Sequence, residues 1–238
     1  MKTLTKPEID ALNAKFEKAT PEEILTWALT SYKGRAGLSS SFGGQSAVLI
    51  HMATRIDPKV PILFLNTGYL FKETLKFAAD LKKKLHLNVR EFKATEEQIA
   101  ETRRNLDKRA QDGGSKCCDD AKIDLMQQSL EGLSCWIAGL RRGQGSTRKD
   151  IKIIEEYQSG LIKVHPLANA TGKDLYAYMK KHDLPFHPLW EKGFTSIGCE
   201  PCTALPGGEG ERSGRWAGLD KKECGIHTFM DKKERGAS

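Results

Sequence analysis

No apolar run in this 238-residue chain approaches the length of a membrane span, so nothing in it calls for a bilayer. Met1-Lys2-Thr3 opens a polar, helix-like segment where a secreted protein would carry an apolar signal core, which predicts a cytoplasmic chain. The sequence has no internal repeat and no low-complexity tract, which excludes solenoids and biased linkers. The Ser/Gly loop at residues 39–46 is not followed by Gly-Lys-Ser/Thr, so it is not a Walker A phosphate loop. Cysteine is present six times, and in a reducing compartment that favours metal binding or catalysis over disulfides.

The length fits one domain with an appended tail, or two small ones, and is sufficient for a real core. With 39% hydrophobic and 29% charged residues the composition is that of an ordinary folded chain. The net charge of +7 favours anionic partners, either nucleic acid or a small phosphorylated or sulfated molecule. Lys82-Lys83-Lys84 and Lys232-Lys233 read as solvated surface.

The N-terminal segment reads as two helices. Thr20-Pro21-Glu22-Glu23 starts the second, with a Thr cap, Pro at the first helical position and Glu three residues after the cap. A short strand ends at Leu38-Ser39-Ser40, the Ser/Gly loop follows, and a helix covers 47–54. Pro61-Ile62-Leu63-Phe64-Leu65 is a continuous apolar run of the kind found in buried parallel strands. Phe71, Leu75, Ala78, Leu81 and Leu85 recur at helical spacing. Further strands are predicted at 87–92, 135–140 and 161–164, and Thr171-Gly172-Lys173-Asp174 caps a later helix. Strands alternating with helices predict an α/β fold built on a doubly wound parallel sheet. Ligands of such folds sit at the carboxyl ends of the strands, where strand order switches. The Ser/Gly loop, Asn66-Thr67-Gly68 and residues 139–148 all follow predicted strands and are expected to converge there. The expected organisation is N-terminal helices at 1–34, a nucleotide-binding catalytic unit at 35–205 and a mobile, Gly-rich C-terminal segment at 206–238.

Small residues in Ser39-Ser40-Ser41-Phe42-Gly43-Gly44-Gln45-Ser46 let backbone N–H groups approach an anion, with a helix N-terminus behind them. A plain strand–helix turn reads equally well from this loop alone. Arg141, Arg142 and Arg148 lie just after an apolar strand, where guanidinium groups can fork onto phosphate or sulfate oxygens. Lys122, four residues after Cys118, and Arg212 and Arg215 in the Gly-rich segment are further cationic candidates.

Cys117-Cys118 and Cys199-Glu200-Pro201-Cys202 supply four thiolates, a donor set for zinc or an iron–sulfur cluster. Adjacent cysteines diverge, and a cluster with several iron atoms accepts that geometry more easily than one tetrahedral zinc. Cys135 sits in an apolar strand and reads as an inert core thiol. Cys224, in Glu223-Cys224-Gly225-Ile226-His227, reads as an exposed nucleophile on a mobile tail, its thiol favoured as thiolate by Lys221, Lys222 and His227 and opposed by Glu223.

Assembled, these residues resemble the assimilatory sulfonucleotide reductases, and more narrowly the iron–sulfur-containing, thioredoxin-dependent adenylyl-sulfate reductases. The likeness covers about residues 35–228 and is carried by residues 39–46, 66–74, 116–118, 139–148, 196–202 and 223–227. It implies an α/β sheet of the adenine nucleotide alpha hydrolase-like (PP-loop) type with a flexible C-terminal tail. It implies a [4Fe–4S] cluster on Cys117, Cys118, Cys199 and Cys202, and sulfonucleotide contacts from Ser39, Ser41, Gly43, Gly44, Ser46, Thr67, Gly68, Lys122, Arg141, Arg142, Arg148, Arg212 and Arg215. The implied reaction takes adenosine 5′-phosphosulfate to sulfite and AMP through an S-sulfocysteine on Cys224, for assimilation of sulfate towards cysteine. A separate thioredoxin or glutaredoxin is the expected reductant, because the chain ends soon after Cys224, and a dimer or tetramer is the expected assembly.

Three positions depart from the family pattern: Asn66 stands where Asp is common, Ala121 where Arg is usual, and Gly145 where Ser is usual. The nearest competing activity is reduction of 3′-phosphoadenosine 5′-phosphosulfate, whose dedicated reductases generally lack the four cluster cysteines. A four-cysteine zinc module that binds nucleic acid leaves Cys224 and the Ser/Gly loop unexplained, and an ATP-using sulfur-transfer or adenylating enzyme would have to consume ATP.

Overall fold

A computed structural model of the chain describes residues 4–108, 119–158, 160–219, 221, 223, 224 and 226. Two helices come first, α1 (Lys6–Phe16) and α2 (Pro21–Ser31). Each starts at a threonine whose hydroxyl accepts from the backbone N–H three residues on, while Glu8 or Glu23 reaches back to the threonine N–H. These reciprocal bonds satisfy donors that a helix start otherwise leaves open. The chain then runs through β1 (Ala36–Ser39), α3 (Ser46–Ile56), β2 (Ile62–Asn66), α4 (Lys72–Lys84), β3 (Val89–Lys93), α5 (Glu96–Asp107), α6 (Asp119–Leu130), β4 (Cys135–Ala138), β5 (Ile154–Gln158), β6 (Leu161–Val164), α7 (Gly172–Lys181) and α8 (Pro188–Glu191).

The six strands form one sheet in the order β3-β2-β1-β4-β6-β5. Every neighbouring pair is parallel except β5 against β6 at the edge. β5 was not expected from sequence: Glu155 and Glu156 interrupt its apolar pattern, and Gly160, at φ +84°, turns the chain straight back into β6. The doubly wound expectation holds, with this antiparallel edge added. Alternation along β4 splits its four buried residues between two faces. Cys135 and Ile137 join the larger core with α1, α2, α3, α4 and α7, whereas Trp136 and Ala138 pack against Met126 of α6 and Leu140. Cys135 is an inert core thiol, as expected: burial pushes its pKa up to about 12. In α4 the inward residues are Thr74, Phe77, Ala78 and Leu81, and Leu75 faces outwards.

Strand order reverses at β1. From β1 the chain moves outward to β2 and β3, then returns to place β4 on the other side of β1. The loops after β1 and β4 therefore leave the sheet side by side, the arrangement that opens a ligand crevice in this type of sheet. No helix among the described residues is long and apolar enough to cross a membrane.

Candidate active site

The crevice is a cavity of about 250 Å³. Its base is the Ser/Gly loop. Phe42 takes a left-handed backbone (φ +48°), fully buried edge-on to Phe64, and donates its N–H to Ser40 Oγ at 3.0 Å. Ser46 returns its hydroxyl to Gly43 O at 2.8 Å, and a Cβ on Gly43 would press on the Ile197 carbonyl at 3.0 Å. No described side chain caps α3 at this end. The start of α3, where Ser46 and Val48 N–H bond Gly43 O and Gln45 O, thus opens on the cavity, and its helix dipole favours an anion there.

Of the residues singled out from sequence, Ser39, Ser41, Gly43, Gly44, Ser46, Lys122, Arg141, Arg148, Arg212, Arg215, Cys199 and Cys224 all line this cavity. Arg142 does not. Its guanidinium binds the Glu17 carboxylate, Asn169 Oδ1 and the Ile151 carbonyl, bracing the end of α1 against the loop after β4. Consecutive residues on an extended backbone point opposite ways, so Arg141 turning inward sends Arg142 out. Thr67 and Gly68 stand one layer back. Gly68 sits at φ +77°, where a Cβ would meet Ile99 at 2.6 Å, and Thr67 Oγ1 lies 3.3 Å from Cys199 Sγ. Asn66 bridges this turn, donating to Glu91 Oε1 at 2.7 Å and accepting from Gly68 N–H at 3.1 Å. An aspartate could not make the first bond, so this departure from the family pattern is matched by Glu91. Gly145 takes φ 157° between two short turns and lies outside this cavity.

The Gly-rich segment was expected to be a mobile connection. In the structure it folds back as a clasp. Thr203 and Arg215 form an antiparallel bridge, Ala204 N–H bonds Gly214 O at 2.8 Å, and Trp216 is buried. Arg212 and Arg215 flank the Trp216 ring at 5.2 and 4.5 Å from its centroid. Cys224 is consequently half-buried in the cavity rather than exposed on a tail, packed beside Cys199, Cys202 and Trp216. His227 and Lys222 lie outside the described residues.

Two acidic side chains that sequence reasoning did not assign to the cavity hold its arginines. Arg141, almost wholly buried, pairs with Glu211 and also donates to Gln45 Oε1 at 3.1 Å. Arg148 forks onto Glu223, and Arg212 adds a third bond to Glu223 at 2.8 Å. Burial raises the Glu223 pKa, but the Arg148 hydrogen bonds and the Arg212 charge outweigh that and hold the carboxyl below its usual range. Burial, reinforced by the charge of Arg148, brings Arg212 down to about 10, so it stays cationic at neutral pH. The cavity is a basic pocket with its own carboxylates on its guanidinium groups. Exchanging those carboxylates for the oxygens of an incoming anion conserves charge-assisted bonding.

Cys199 and Cys202 are both buried in one tight turn closed by Cys202 N–H to Cys199 O at 3.0 Å. Glu200 N–H bonds Tyr69 O at 2.8 Å and Leu70 bridges Cys199, so the loop after β2 carries the cysteine turn. The described part of α6 begins at Asp119, and its Lys122 donates to Cys199 Sγ at 3.2 Å. Cys117 and Cys118 lie outside the described residues. Among the described residues no group of three or more His, Cys, Asp or Glu side chains gathers as a metal site. The two described thiols, buried, adjacent and next to an ammonium, suit half of a four-thiolate set.

Fold and cavity together define an α/β protein with a mostly parallel sheet and a basic crevice where its strand order reverses. The solved phosphoadenylyl-sulfate reductase from Candida auris, a phosphate complex, superposes with a TM-score of 0.71 at 23% identity, over 85% of this chain and 99% of that one. Candida glabrata FMN adenylyltransferase shares the architecture at a TM-score of 0.59 and 14% identity, over 94% of this chain and 72% of that one. Residues 35–205 match the phosphoadenosine phosphosulfate reductase domain, and the chain belongs to that family. Proteins named phosphoadenosine 5′-phosphosulfate reductase are 37% identical in Alkalilimnicola ehrlichii, over 94% of this chain and 92% of the relative, and 39% identical in Xylella fastidiosa, over 92% and 94%. It is accordingly an enzyme of the sulfonucleotide reductase family, an oxidoreductase acting on sulfur.

Proposed function

We propose that this enzyme reduces adenosine 5′-phosphosulfate to sulfite and AMP, with Cys224 as the nucleophile. The observation that carries the reading is that Cys224, the open start of α3 and four arginines all face one cavity. The nucleotide binds with its phosphate and sulfate oxygens on the Ser/Gly loop and on Arg141, Arg148, Arg212 and Arg215, displacing Glu211 and Glu223. The Cys224 thiolate attacks the sulfate sulfur. An S–S bond forms, the S–O bond to AMP breaks, and AMP leaves with the electron pair on its phosphate oxygen. The arginines stabilise that developing charge. A thiolate of reduced thioredoxin or glutaredoxin then attacks Cys224 Sγ and expels sulfite. Its second thiol resolves the mixed disulfide, so the dithiol supplies both electrons.

Cys199 and Cys202, with Cys117 and Cys118, would hold a [4Fe–4S] cluster. When bound it would act electrostatically beside the sulfate, without changing redox state. Lys122, in contact with Cys199 and lining the cavity, ties the cysteine turn to the bound sulfonucleotide.

The four cysteines favour the unphosphorylated nucleotide. A second reading, 3′-phosphoadenosine 5′-phosphosulfate as substrate, is favoured by the names of the relatives at 37–39% identity. Anaerobic assay of sulfite release with each nucleotide and reduced thioredoxin separates them. A larger kcat/KM for adenosine 5′-phosphosulfate supports the first reading, and a larger value for its 3′-phosphate supports the second. Sulfite from a Cys224→Ser variant, or none from wild type with either nucleotide, would overturn the proposed chemistry.

A further inference from the structure

One face of the sheet carries a row of side chains that the reaction above does not use. Glu155, Lys163 and Trp136 are direct neighbours across β5, β6 and β4. The Lys163 side chain is almost completely buried. Its ammonium sits 4.4 Å from the Trp136 ring centroid and 4.8 Å from that of Tyr157, and 3.4 Å from Glu155 Oε1. A cation between two ring faces, with one carboxylate for counter-charge, holds both rings in place. The rings themselves meet edge-on at 4.8 Å.

Both rings lead to the cavity. Trp136 is fully buried and donates its indole Nε1–H to Ser39 Oγ at 2.7 Å. Tyr157 directs its hydroxyl to the carbonyl of Ile226 at 3.5 Å, two residues beyond Cys224, and Ile226 packs on the cluster that contains Trp136. Ser39 is the last residue of β1 and lines the cavity.

From this geometry we infer that Trp136, clamped by Lys163 and Tyr157, is a positioning residue for the nucleotide. A serine hydroxyl has one proton and two lone pairs. The indole N–H occupies a lone pair of Ser39, so the Ser39 proton is left to point into the cavity as a donor to an anionic oxygen. Without the indole N–H, the hydroxyl is free to turn and bond elsewhere. The same platform seats the segment that follows Cys224, so the Ser/Gly loop and the nucleophile share one rigid support. This inference rests on Ser39 belonging to the nucleotide site.

The test is a double-mutant cycle on the full enzyme with Trp136→Phe and Ser39→Ala. Phenylalanine keeps one six-membered ring of the platform and removes the N–H together with the rest of the indole, so the packing loss is common to Trp136→Phe and the double variant and the cycle isolates the hydrogen bond. Turnover is measured with whichever sulfonucleotide is the better substrate, and binding is measured with AMP. Each single variant is expected to raise KM and the AMP dissociation constant by about tenfold, with kcat changed far less, the size of effect seen when a buried hydrogen-bond partner is lost. The double variant is expected to be no worse than either single one, because both remove the same donor. If Ser39→Ala leaves binding and KM unchanged, the placement of Ser39 in the nucleotide site fails and the inference falls with it. If Ser39→Ala weakens binding while Trp136→Phe does not, or the two effects add, the site stands and the positioning role is overturned.

A second readout covers the case of a Trp136→Phe chain that does not fold. The chain has four tryptophans. In ¹⁵N-labelled protein the Trp136 indole N–H resonance, told apart from that of the cavity-lining Trp216 by a Trp216→Phe variant, is expected to shift when AMP is added and not to respond in Ser39→Ala. A Trp136 resonance indifferent to AMP in wild type, or equally responsive in both proteins, overturns the inference.

Discussion

Arg148 grips Glu223 with two parallel bonds, Nε to Oε2 at 2.6 Å and Nη2 to Oε1 at 2.8 Å, and so ties the loop after β4 to the residue beside the nucleophile. Both side chains are more than nine-tenths buried. The same carboxylate accepts from Arg212 at 2.8 Å and from the Cys224 backbone N–H at 2.9 Å. On the proposed mechanism, a substrate anion that takes Arg148 and Arg212 would loosen the hold on the Cys224 backbone and couple nucleotide entry to freedom of the thiol.

Glu223→Gln leaves two buried guanidinium groups without their counter-charge. Breaking a buried pair in this way costs about 3 kcal/mol or somewhat more, which corresponds to a fall of roughly 6–12 °C in Tm for a chain of this size. Added inorganic sulfate is expected to restore more of the loss in the variant than it adds to wild type. Thermal melts with and without sulfate check this; an unchanged Tm would mean that the clasp is not held by Glu223.

Gly214→Ala strikes the clasp from the other side. A Cβ there would lie 2.2 Å from the Ala204 carbonyl oxygen, and backbone cannot swing away as a side chain can. The Thr203–Arg215 bridge should open, carrying Arg215 and Trp216 off the cavity wall. The expected result is at least a tenfold loss of kcat/KM with circular dichroism of the sheet retained, because the clasp lies outside the main core.

His187 makes stability depend on pH. It is buried, accepts the Leu189 N–H at Nδ1 (3.1 Å), and so donates from Nε2 to Thr74 Oγ1 at 3.0 Å. Protonating Nδ1 would break the cap of α8. Burial, only partly opposed by Glu73, lowers its pKa to about 4, and His165 in the buried β5–β6 region is lowered by burial to about 3. Between these values and the unfolded pKa of about 6.5 the unfolded chain binds the proton and the folded chain does not. Stability is thus fully present above pH 6.5 and is lost as pH falls. Each histidine accounts for about 2 kcal/mol between pH 7 and pH 5. Urea unfolding at the two pH values should show the drop, and His187→Gln should remove about half of it.

Cys199→Ser tests the donor set. Anaerobically purified wild type is expected to contain iron and acid-labile sulfide in equal amounts, and the variant to have lost both. Zinc in place of iron in wild type would replace the cluster with a structural tetrahedral site.

Much of the sheet was legible because its physics is local. The continuous apolar run ending in β2, the Thr caps of α2 and α7 and the β6 run at 161–164 each state their structure within a few residues. β5 was not legible, since its pairing with β6 and not its own pattern makes it a strand. The cysteines, the loop glycines and the arginines after β4 were readable as chemistry, because few other arrangements explain such residue types in such positions. Their division of labour was not. Arg141 and Arg142 are chemically alike neighbours, and only the direction of the backbone sends one into the cavity and the other to Glu17. Glu211 carried no signal in the sequence and Glu223 only that of opposing the Cys224 thiolate; the clasp brings both onto arginine guanidinium groups. The sequence by itself determined the parallel strands of the sheet, the small-residue loop after the first of them and the kind of thiol chemistry available. The tertiary structure alone decided that the Gly-rich segment closes over the cavity, that Cys224 lies within it, and that Trp136 reaches Ser39. Those facts depend on contacts between residues far apart in the chain, and no local preference encodes such contacts.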